Sequence, residues 1–113
     1  MIEKTIYDYL KEAGYAVYME RPSKPPEEYV LIDKIGSRRY NCITTTIFAI
    51  QSYAPTLYEA SELNEQVKKT MDEADALVSV SASKLVSDYN QTSTASKQYR
   101  YQAEYEVTHK EWP

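Results

Sequence analysis

Ile2, Ile6, Tyr9, Leu10 and Ala13 recur at helical spacing, with Glu3, Lys4, Asp8, Lys11 and Glu12 around the rest of the wheel. The pattern predicts an amphipathic helix of about three turns, ended by Gly14. Ala60, Leu63, Val67, Met71 and Ala74 form a second stripe, set among Glu62, Glu65, Lys68, Lys69, Asp72 and Glu73. Thr56-Leu57-Tyr58-Glu59 marks its start as a capping box. There the Thr56 hydroxyl accepts from the amide three residues on, and Glu59 reaches back to the Thr56 amide.

Elsewhere the period is two. Tyr99, Tyr101, Ala103, Tyr105 and Val107 alternate with Arg100, Gln102, Glu104, Glu106 and Thr108, which predicts a closing strand. Tyr40 to Ser52 is dense in β-formers and reads as a long strand. One of its faces carries Cys42, Thr44, Thr46, Phe48 and Ile50; the other carries Ile43, Thr45, Ile47, Ala49 and Gln51. Both are largely apolar or Thr, which fits a central strand covered on both sides, or on one side by another subunit. Tyr15 to Glu20, Tyr29 to Ile35 and Lys84 to Asn90 are further strands, and Leu77 to Ala82 fits either a connector or an early strand. Gly36-Ser37-Arg38-Arg39 reads as the turn of a hairpin. Tyr53-Ala54-Pro55 is a hinge. Gln91 to Ser96 is a polar loop without an anchor residue. Three of the six residues Arg21-Pro22-Ser23-Lys24-Pro25-Pro26 lack an amide donor, so this segment cannot join a ladder and forms a stiff, exposed loop. The expectation is one α+β domain over residues 1–113, in the order α-β-β-β-α-β-β. Its sheet is mostly antiparallel, with two helices packed on it.

Composition narrows the function. A net charge of −4 argues against nonspecific nucleic-acid binding, which needs clustered Lys and Arg, though not against a channel that DNA slides through. The one cysteine, Cys42, allows no internal disulfide. Met1-Ile2-Glu3-Lys4 carries no apolar signal region, and the longest apolar run, Ile47 to Ile50, is too short for a bilayer. A reducing cytoplasm and no membrane partner are expected, which makes the glycosylation-like Asn90-Gln91-Thr92 a chance match. Twelve tyrosines stand against one Phe and one Trp. Each suits a half-exposed strand; as a set they point to a partner surface.

The chemistry available is sparse. Cys42 and His109 are the obvious reactive pair, but no spacing supplies the three or four ligands of a zinc site, and a Cys in a Thr-rich strand reads as a small buried apolar residue. Asp72, Glu73 and Asp75 oppose the macrodipole at a helix C-terminus, as a tolerated surface or an acidic patch. With two glycines, Gly14 and Gly36, there is no phosphate cradle or nucleophile elbow. The reading is a non-enzyme with no cofactor and no metal.

Several segments carry a family resemblance: Phe48-Ala49-Ile50-Gln51-Ser52-Tyr53 leading into Leu57-Tyr58-Glu59-Ala60, then Ser87-Asp88-Tyr89-Asn90, Lys97-Gln98-Tyr99-Arg100-Tyr101-Gln102-Ala103, and Tyr105-Glu106-Val107-Thr108-His109. The early Pro-rich loop followed by Tyr29-Val30 also fits. In order and spacing the chain resembles the tail terminator or tail completion proteins of long-tailed bacteriophages and prophages of Gram-positive bacteria. The resemblance implies a structural virion protein, assembled in the bacterial cytoplasm as a homo-oligomeric ring, usually of six subunits. Such a ring caps the tail tube, ends its polymerisation and meets the head-tail connector, while DNA passes through without sequence-specific binding. It implies no catalytic residues.

Candidate interface residues follow from exposure. Arg21, Pro22, Lys24 and Pro25 of the Pro loop and Arg38 and Arg39 of the expected turn are stiff, Arg-bearing projections, and the alternative for them is a solubilising loop and an ordinary charged turn. Trp112 near the carboxy end is either a loose end or an anchor in a neighbour. Acids facing the lumen would let DNA slide by like-charge repulsion. Competing functions are a head-completion or stopper connector, a small cytoplasmic module that takes a peptide along a sheet edge, and an enzyme with a polar pocket at Cys42 or His109.

Overall fold

A computed structural model describes residues 1–93 and 98–110. It has the α+β architecture expected, with helix α1 (Ile2–Glu12), strands β1 (Val17–Tyr18), β2 (Tyr29–Tyr40) and β3 (Ile43–Ala54), helix α2 (Leu57–Asp72), a 3-10 turn (Ala74–Ala76), and strands β4 (Val80–Asn90) and β5 (Tyr99–Lys110). The five strands form one sheet in the order β1-β2-β3-β5-β4. All pairs are antiparallel except β1 with β2.

Both helix ends obey the local rules. After α1, Gly14 takes φ +104; its amide bonds Lys11 O and the Tyr15 amide bonds Leu10 O, the paired bonds of a Schellman stop. At the start of α2, Thr56 Oγ1 accepts from the Glu59 amide at 3.2 Å, the Thr56 half of the capping box. The stripe Ala60, Leu63, Val67, Met71 and Ala74 is buried throughout. Its Leu63, Val67 and Met71 meet Phe48, Ile50, Ala103, Tyr105 and Val107 of the sheet and Ile6 and Leu10 of α1 in one core. Asp72, at the helix C-terminus, accepts from the buried Tyr105 hydroxyl at 2.8 Å, so that carboxylate has a structural task that offsets its dipole cost.

Three expectations are corrected. The hairpin turn is not Gly36–Arg39. Pairing of β2 with β3 continues to Tyr40↔Ile43, and the turn is Asn41-Cys42, both at positive φ (49 and 65), the conformation of a two-residue hairpin loop. Gly36 instead follows a register shift, with Ile35 as the extra residue, so this glycine marks a bulge. Arg38 and Arg39 are therefore strand residues on opposite faces.

Cys42 is accordingly exposed at the turn, not a small apolar residue inside the strand. The third correction concerns the loop after β4. Gln91 to Ser93 is anchored: Gln91 N bonds Arg100 O, Ser93 and Gln98 exchange backbone bonds, and Arg100 Nε donates to Gln91 O at 2.9 Å. Thr94 to Ser96 lie outside the described residues.

Candidate interaction surface

The helices cover one face of the sheet. Strand alternation puts Thr44, Thr46, Phe48, Ile50 and Ser52 of β3 on that face, all buried. On the other face β3 presents Ile43, Thr45, Ile47, Ala49, Gln51 and Tyr53. These pair with Lys110, Thr108, Glu106, Glu104, Gln102 and Arg100 of β5. The long strand is thus central, as expected, and backed by helix on one side.

At the end of this helix-free face away from the β2–β3 turn, side chains are locked together across all five strands. The Tyr29 ring of β2 stacks on the Tyr53 ring of β3, with centroids 4.6 Å apart and planes 4° from parallel. Tyr18 meets Tyr29 edge-on. Arg100 lies over the Tyr53 ring, and its Nη1 donates to Tyr53 Oη at 2.8 Å. That hydroxyl donates to Gln51 Oε1, Gln51 Nε2 donates to Gln102 Oε1, and Gln102 Nε2 donates to Tyr89 Oη at 2.6 Å. Tyr89 closes the run by donating to Glu104 Oε2 at 2.8 Å.

Each hydroxyl and amide in that run has a fixed direction, so the donor and acceptor pattern offered to a partner is set in advance. Tyr53 and Gln102 are both only 6% exposed, so the platform is flat rather than bristling. Burial raises the Tyr29 hydroxyl above its usual pKa, opposed by the Arg21 charge. The bond to Glu104 raises Tyr89.

The other end of the sheet is different. Tyr40 is 79% and Ile43 44% exposed beside the turn. Arg38 reaches Glu106 on the same face at 3.4 Å. Arg39, one residue on, has no ion pair among the described residues. On the helix side, a cavity of about 600 Å³ opens between the start of α1 and the sheet, lined by Glu3, Lys34, Thr46 and His109 among others. His109 is buried there, with Nε2 2.8 Å from Thr46 Oγ1. Among the described residues, no group of three or more His, Cys, Asp or Glu is placed to hold a metal ion.

The candidate interface residues therefore do not form one patch. Arg21 sits at the platform end, with its guanidinium donating to the Gln98 carboxamide and its charge opposing the rise in the Tyr29 pKa. Pro22 is half-buried while Lys24 and Pro25 are exposed. Arg38 and Arg39 are at the far end of β2. Trp112 lies outside the described residues. Tyr53, Gln51, Arg100 and Gln102 were not among the expected interface residues. Gln51, Arg100 and Gln102 do stand on the polar or mixed face of their alternation, but their partnership depends on a cross-strand register that no single segment reveals. Among known proteins, the chain matches no family model and no curated protein.

Proposed function

We propose that this chain is a structural subunit of the neck of a long-tailed phage. It assembles as a homo-oligomeric ring, in the expected case a hexamer, that caps the tail tube, ends its polymerisation and joins the tail to the head connector. The reading rests first on the sequence resemblance. The observation that carries it in the molecule is the helix-free sheet face, with its prearranged run from Arg100 through Tyr53, Gln51 and Gln102 to Tyr89. Side chains already held in place lose little entropy on docking, and Tyr and Arg are favoured at protein interfaces. A protein–protein role uses such a surface directly.

A peptide added along a sheet edge is less well supported. Strand β4 is the long open edge of the sheet, and it carries register shifts at Val80/Ala82 and Leu85/Ser87. Bulges of that kind blunt an edge against another strand.

The test is to mix the purified chain with tubes of the tail-tube protein encoded by the same phage or prophage and image them. Rings seated on one end of tubes that stop growing support the proposal. Tubes that lengthen without a cap, at saturating chain, contradict it.

A further inference from the structure

A basic patch and an acidic patch, each with exposed apolar groups, lie at the two ends of this molecule. The tip of the β2–β3 hairpin presents Arg38, Arg39, Tyr40 and Ile43. The first turns of α2 present Leu57, Tyr58, Glu59 and Glu62, with Leu57 42% and Tyr58 75% exposed. Strand β3 runs from the tip to the residues just before α2. At about 3.3 Å per residue, its 12 residues span about 40 Å, close to the molecule's 44 Å long axis. The two patches are therefore at opposite ends and cannot meet within one chain.

We infer that the basic hairpin tip of one copy docks on the acidic start of α2 in the next copy. This rests on the ring-forming reading above, and names the contact that would build the ring. Complementary patches at opposite ends make a head-to-tail contact, and repeated head-to-tail contacts close into a ring when the rotation allows. Arg38 is held only at 3.4 Å by its own Glu106 and its side chain is 62% exposed, so it is free to turn toward a neighbour. Arg39 has no ion pair to leave among the described residues. Tyr40 and Ile43, flanking the turn, supply the apolar contact beside the two arginines, an Arg-and-Tyr composition typical of interface anchors. Nucleic acid is a weaker occupant, because the tip offers few cations and Glu106 stands beside Arg38.

Cys42, the chain's one cysteine, stands at the apex and is exposed, so the native chain can report its own neighbour. Label Cys42 with a benzophenone maleimide, illuminate assembled chain, on tail tubes if it assembles only there, and map the adducts. The expected adducts fall within residues 57–66 of a second copy. In parallel, Arg38→Glu with Arg39→Glu should weaken self-association at least tenfold, as should Glu59→Lys with Glu62→Lys. Mixing the two folded variants should restore association, since their swapped patches are again complementary.

Assembly with adducts elsewhere, or with no loss in either variant, overturns this contact and leaves the ring standing. A chain that remains monomeric both alone and on tubes overturns the ring and the contact together. Retention of duplex DNA by the native chain, abolished by Arg38→Glu with Arg39→Glu while self-association persists, gives the tip to nucleic acid and overturns the inference.

Discussion

The Tyr105 hydroxyl stands 2.8 Å from Asp72 Oδ1 and 2.9 Å from the Lys68 carbonyl, so one buried phenol ties the middle of β5 to the last turn of α2. It has a single proton for these two acceptors and donates to one at a time or splits between them. Burial, and then the Asp72 carboxylate, push the hydroxyl far above its ordinary pKa of 10.0. In the unfolded chain it titrates normally. The folded state therefore holds the proton more tightly, and its advantage is complete below pH 10 and declines as pH rises above it. Each pH unit above 10 should lower stability by about 1.4 kcal/mol from this group. Urea titrations from pH 7 to 11 check the slope. Tyr105→Phe should flatten it and, at pH 7, lose about 1 kcal/mol.

Asp88 on β4 accepts from Asn64 Nδ2 at 2.8 Å and Lys68 Nζ at 2.5 Å, clipping the edge strand to α2. Asn64 is buried, and its Oδ1 has no partner among the described residues, so the Asp88 bond satisfies the one end of that amide that is paired. Asp88→Ala should cost about 1–3 kcal/mol by leaving the Asn64 amide unmatched. Chemical denaturation of the two proteins side by side measures it; a change within a few tenths would show that the amide finds water instead.

At the hairpin turn, Cys42 holds φ 65, a region that costs a non-glycine residue about 1–2 kcal/mol. Cys42→Gly gives the favoured Asn-Gly turn. Glycine also loosens the unfolded chain, which cancels part of the gain, so a net increase of about 0.5–1 kcal/mol is expected. Thermal unfolding of the variant beside the native chain is the measurement, and a fall in stability would mean that the turn is not held in this conformation.

Arg100 links Tyr53 with the backbone of Gln91. Arg100→Ala should free the start of the β4–β5 connection while leaving the core in place. Amide exchange at Gln91 and Ser93 should quicken at least tenfold, with Phe48 and Val107 unchanged. Uniform quickening would instead make Arg100 part of the global fold.

Much of this fold could be read in the chain. The two apolar stripes were enough for α1 and α2, because a helix repeats its address every turn, and the Thr56 cap fixed where α2 begins. The alternation from Tyr99 to Val107 gave the core face of β5 at Ala103, Tyr105 and Val107. The hairpin was harder. Beyond Ile32 the β2 residues are mostly exposed on both faces, so Ser37, Arg38 and Arg39 have no core face to declare, and Gly36 invited a turn where the chain makes a bulge. The real turn has no glycine. The Tyr53–Arg100 and Gln51–Gln102 pairs were illegible for another reason: each joins residues about fifty positions apart, and only the finished β3–β5 register brings them together.

Tail length, by electron microscopy of particles made by the parent phage or prophage with this gene disrupted, decides whether the protein ends the tail. The expected result is overlong or irregular tails that are not attached to filled heads. Tails of normal length beside leaking or tailless heads would move the protein to the head side of the neck, and normal infectious particles would contradict a place in the neck.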